Sequence, residues 1–145
     1  MPIQFVDSSP KLWPIEIDIP YSTFTDANQS IIIAGTGVGP GVITNATRIA
    51  DVMIYKPTAF DANTVEIGHR ATAGDRDTIA TASEVSAITT GVAKPVNWQV
   101  AGKYADLIVS ANRGIYARLG AGSVPTVGLL RLVLIVYDVS PKTTI

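Results

Sequence analysis

An all-β fold, a single-domain antiparallel β-sandwich, is what this sequence predicts, and three observations predict it. Short runs rich in Val, Ile and aromatic residues recur along the chain, separated by clusters of Gly, Pro, Asn and Asp. No stretch keeps helical spacing long enough for a long helix. Residues 128–139 form an apolar run whose Val133, Ile135, Val136, Tyr137 and Val139 are β-branched or aromatic, which favours strand over helix. Side chains of a strand alternate between faces. One parity of this run reads Leu130, Leu132, Leu134, Val136; the other reads Leu129, Arg131, Val133, Ile135, Tyr137. Both are apolar, so the strand is expected to be covered twice, once by the second sheet and once by another subunit. Twelve residues at roughly 3.3 Å each reach about 40 Å, long for a strand but too short for a membrane helix of roughly 20 residues.

The elements follow in chain order. Residues 1–30 hold four of the nine prolines, Pro2, Pro10, Pro14 and Pro20, which rules out a helix or a central strand. Phe5, Val6, Leu12 and Trp13 are apolar within it, and odd positions 13–19 alternate with Glu16 and Asp18 as an edge strand would. This segment reads as an extended arm that lies either on a neighbouring subunit or on its own domain. Residues 31–145 are the sandwich. Residues 30–34 are a short strand, and the glycine-rich loop 35–41 is a connection. Gly-x-Gly-x-x-Gly register from Gly35 ends on Pro40, and no Lys-Ser/Thr follows for phosphate binding. Strands are expected over residues 47–55, 64–68, 94–100, 103–111 and 115–119, with one or two helical turns within 79–88 and a tight turn at 112–114. About eight strands result, and jelly roll is the best-fitting topology.

The composition narrows function. The chain has 145 residues, one domain's worth, with 47% apolar and only 16% charged residues. Mean hydropathy is +0.30 with no membrane segment to account for it, so part of the surface is expected to be hidden in an assembly. A net charge of −1 suits neither a nucleic acid nor an anionic membrane as partner, and the absence of Cys excludes thiolate and disulfide chemistry. No secretory signal opens the chain. No catalytic, cofactor or metal residues are expected. His69, the single histidine, lies beside Arg70 and reads as a surface-loop residue. Asp61, Asp75 and Asp77 allow a weak Ca²⁺ site, but the spacing lacks a third ligand and a closing Glu; a solvated loop is the simpler account. Arg131 interrupts an apolar face and is expected either to find a carboxylate, with Asp106 and Asp138 as candidates, or to lie at a rim. Trp13 and Trp98 could form a sugar platform or pack in a core or interface.

Thr47-Arg48 before an apolar strand, the run 58–61, the run 64–68, the acidic loop at Asp75 and Asp77, Tyr104-Ala105-Asp106, and the long strand ending in Val136-Tyr137 together resemble tailed-bacteriophage head decoration (cement) proteins. The resemblance covers roughly residues 47–139. It implies a jelly-roll virion protein, a homotrimer on the capsid exterior, assembled in the host cytoplasm and bound where major capsid protein subunits meet. It brings no catalytic residues. On this reading Leu129, Arg131, Val133, Ile135 and Tyr137 are the oligomer interface, and Phe5, Val6, Leu12 and Trp13 are a capsid-binding arm. A carbohydrate- or receptor-binding module of the virion, with contacts near residues 75–77 and Trp98, is the alternative.

Overall fold

Alternation along the last strand sets the architecture. Leu130, Leu132, Leu134 and Val136 are all 0% exposed, so the even-numbered side chains form one continuous buried row. Burying a side chain of that size contributes roughly 1.5–3 kcal/mol, which makes this row a central piece of the core. The structure is a computed structural model and describes residues 12–34, 42–43, 47–70, 77–96 and 113–138. Among these the strands are β1 (Leu12–Pro20), β2 (Ser30–Ala34), β3 (Val42–Ile43), β4 (Thr47–Thr58), β5 (Val65–Arg70), β6 (Asp77–Ala80), β7 (Ala93–Pro95), β8 (Arg113–Leu119) and β9 (Leu129–Asp138). One short helix, α1 (Ala82–Ser86), stands between β6 and β7.

Two antiparallel sheets face each other, ordered β1-β9-β4-β7 and β2-β8-β5-β6, with β3 pairing β8. Setting aside the two-residue β3, the remaining eight strands pair first with last, second with seventh, third with sixth and fourth with fifth. That nesting is what a long hairpin gives when it rolls up, and it is the jelly-roll topology of a two-sheet sandwich. The inner face of one sheet is Ile15, Ile19, Val52, Ile54 and the even row of β9. The other contributes Val65, Ile67, Ile115, Ala117 and Leu119, all 2% exposed or less.

Several expectations change. Of the two placements open to the arm, residues 12–20 take the one on their own domain, as an edge strand. β1 pairs with β9 from Leu12↔Tyr137 through Pro20↔Leu129, and Trp13 and Ile17 pack against the core beside Ile15 and Ile19. Its odd positions supply one complete apolar face, and the open edge of its own β9 takes them. Pro14 and Pro20 are tolerated because β1 is an edge strand. Residues 1–11, with Phe5 and Val6, lie outside the described residues, as do the loop 35–41 and the strand expected over 103–111. The tight turn expected at 112–114 gives way to strand: Arg113 and Gly114 open β8, with Gly114 opposite Arg70 and Val42.

His69 is not on a surface loop. It sits within β5 opposite Ile115 and is 0% exposed, because its parity matches Val65 and Ile67 on the inner face. The one or two helical turns expected within 79–88 are α1. There Thr81 Oγ1 accepts the Glu84 amide and Glu84 Oε2 accepts the Thr81 amide at 2.8 Å, a reciprocal capping box. On the outer face of the second sheet, Gly68 lets the Tyr116 ring lie flat across the strand. A Cβ there would come 2.6 Å from Tyr116 Cε1. The Tyr116 hydroxyl donates to Glu66 at 2.7 Å, and the Arg70 guanidinium stands 5.9 Å from the ring centre.

Candidate assembly surface

The odd-numbered residues of β9, which have the same apolar character as the even row, point away from the core. Leu129, Val133, Ile135 and Tyr137 are half-buried, and Arg131 is exposed. Register supplies their neighbours. Tyr137 stands beside Leu12 of β1. Ile135 lies between Pro14 of β1 and Asp51 of β4, Val133 between Glu16 and Met53, and Arg131 between Asp18 and Tyr55. The result is a broad outer face, with Leu12 60% and Met53 39% exposed. Pro14, Val133, Ile135 and Tyr137 extend the apolar area between them. Apolar side chains grouped on one sheet face, rather than scattered singly, mark a surface that meets another surface.

One ion pair sits within this face. Arg131 Nε donates to Asp18 Oδ1 at 2.8 Å and Nη2 to Oδ2 at 3.2 Å, the two-pronged geometry that suits a guanidinium and a carboxylate. Both side chains are about half exposed, at 50% and 51%. The hydrogen bond from Arg131 holds the Asp18 carboxyl below the ordinary carboxylate range; partial desolvation opposes this, and the nearby positive charge adds to it. Asp106 and Asp138 were the expected partners; among the described residues the partner is Asp18, and Asp106 lies outside them. Asp18 is 113 residues away in sequence, and only the β1–β9 register brings it opposite. The Arg131 and Asp18 charges cancel within one subunit, while the exposed carboxylates of Glu16 and Asp51 stay on the same face.

The other candidate residues do not converge. Trp13 faces the core and Leu12 faces out, so these neighbours cannot serve one docking surface. Trp98 and Asp75 lie outside the described residues. Asp61 accepts the Thr126 amide at 2.8 Å, the Thr126 hydroxyl at 2.5 Å and the Val127 amide at 3.1 Å. Those bonds, the hydroxyl first, hold its carboxyl low and tie the β4–β5 loop to the turn before β9. Its job is therefore to fix a loop, and Asp77 belongs to β6 instead. Among the described residues no group of three or more His, Cys, Asp or Glu stands close enough to share a metal ion. No described helix is long and apolar enough to cross a membrane. The partners Asp18 and Met53 were missed by sequence reading; the alternation of residues 13–19 was the available signal for Asp18.

The fold and this face together define a jelly-roll β-sandwich with apolar residues on the outer side of one sheet. Comparison with solved structures agrees on the fold. A chain of the cyanophage Pam1 capsid asymmetric unit superposes with a TM-score of 0.57 at 12% identity, covering 95% of this chain and 92% of that one. A chain of the acid-stable capsid of Helicobacter pylori bacteriophage KHP30 gives 0.50 at 9% identity, covering 99% and 94%. No protein-family model and no curated protein matches the sequence.

Proposed function

We propose that this chain is a structural virion protein that decorates and stabilises a bacteriophage capsid, binding as a homotrimer across junctions of the major capsid protein. The observation that carries this is the outward face of the β1-β9-β4-β7 sheet, where Val133, Ile135, Tyr137, Leu12 and Met53 form an apolar area. The shared fold with two phage capsid chains supports the virion setting. Such a role needs complementary surface and no reactive groups, and no catalytic residue is assigned.

The experiment is the mass in solution by light scattering behind size exclusion. Three times the 15.3 kDa subunit mass is expected at micromolar concentration, and a stable 15.3 kDa monomer would sink the oligomer reading. Capsid attachment is tested by removing residues 1–11 alone, since removing 1–20 would delete β1 and uncover the core. Weaker attachment with an intact oligomer is expected, and undiminished attachment would refute a role for that segment.

A further inference from the structure

At one end of the sandwich the β4–β5 loop and α1 enclose a cavity of about 180 Å³, lined in part by Lys56, Phe60, Thr64, Val85, Ser86 and Leu130. This is well below the roughly 300–1,000 Å³ of drug-sized sites. Lys56 is 7% exposed, an unusual place for an ammonium. Its Nζ donates to the Ser86 carbonyl oxygen at 3.1 Å. That carbonyl belongs to the last turn of α1. Ala87 and Ile88 donate to Ser83 and Val85 instead, so Lys56 serves as a cationic cap on the helix C-terminus.

The cap occupies one of three ammonium donors. No carboxylate among the described residues pairs with Lys56, whose largely buried ammonium donates to a neutral carbonyl. Burial accordingly pushes the Lys56 amine below its ordinary range. A buried charge without a counter-ion is costly, and an incoming anion that completes the donor set recovers that cost. The lining decides which anion. One cation beside the Phe60, Val85 and Leu130 side chains suits a monovalent head on a short apolar stem, whereas a phosphate dianion requires more donors and no apolar contact.

We propose that the Lys56 cavity is a binding site for a carboxylate on a short aliphatic stem, held by the free Lys56 N–H groups with the stem against Phe60 and Leu130. The carboxylate can come from a small free acid or from an acidic side chain of an adjoining subunit, and the test separates them.

The probe is sodium propionate, titrated into the full chain carrying labelled lysine, with the Lys56 Cε and Nζ signals followed by NMR and sodium chloride as the ionic-strength control. Saturable movement with a dissociation constant of about 1–10 mM is expected for a single small-anion contact, absent with chloride and lost in Lys56→Met. If an adjoining subunit already supplies the acid, propionate leaves the Lys56 signals in place, and the solution mass of Lys56→Met falls relative to wild type. The absence of both, with no saturation in the wild type and no change of mass in the variant, overturns the site and leaves Lys56 as a helix cap only. The wild-type titration stands even if Lys56→Met does not fold. Because its readout is local to Lys56, it is independent of the capsid proposal.

Discussion

The two faces of β9 are built from the same kinds of residue and meet different fates. Leu130, Leu132, Leu134 and Val136 are closed off by the second sheet, while Leu129, Val133, Ile135 and Tyr137 stay partly open on the outside. The outer face of the opposite sheet sharpens the contrast. There Tyr116 is 0% exposed, laid over Gly68 with its hydroxyl on Glu66. Apolar character along a strand therefore does not by itself say which face is buried within the subunit. For the inner row the cover is intramolecular, and for the outer row we assign it to other copies of the chain.

The largest effect that breaks the comparison is on the inner row. Leu132→Ala is expected to lower unfolding free energy by about 2–5 kcal/mol in denaturant titrations, the usual cost of a Leu-sized cavity. Val133→Ala, one residue along, is expected to cost the isolated subunit under about 1 kcal/mol, since it faces outward. Equal losses would show that the two rows are equally buried within one subunit. On the outer row, Ile135→Asp is expected to leave the circular dichroism spectrum unchanged while the solution mass drops to that of one subunit. An unchanged oligomer would remove this face from the interface.

Gly68→Ala is next, at about 1–3 kcal/mol, because the new methyl group meets the Asp77 carbonyl oxygen of β6 and the Tyr116 ring in a packed site. A neutral result in thermal melts would mean that the β6 backbone and Tyr116 both yield freely. The smallest effect is electrostatic. Asp18 is held below its unfolded value, so its contribution is fully present above the ordinary carboxylate range. It is lost as pH falls through the lowered folded value. Asp18→Asn should flatten that part of the stability–pH curve measured by denaturant midpoints. An identical acid limb in the variant would assign the acid sensitivity to other groups, Asp61 first among them.

Parts of this were legible in the letters because they depend on local pattern. The period-two alternation of residues 13–19 and the doubly apolar run through β9 announce strands wherever they are placed. His69 was misread because the strand was expected to end at Gly68. It runs on to Arg70, and the parity of Val65 and Ile67 then turns His69 inward, opposite Ile115. Asp106 and Asp138, the partners expected for Arg131, lie in the same third of the chain, yet a sheet edge brings β1 and Asp18 from the far end.

What the sequence alone determined is the alternation of side chains and hence the class of fold, since that period is a property of the backbone of each strand. What only the tertiary structure decided is pairing: β1 on β9, Asp18 on Arg131, Lys56 on the end of α1. Those contacts join residues 113 and 30 positions apart, and no local rule selects among such partners. The selection is made when the two sheets close on each other, because only then does each strand edge and each charge have a single place to go.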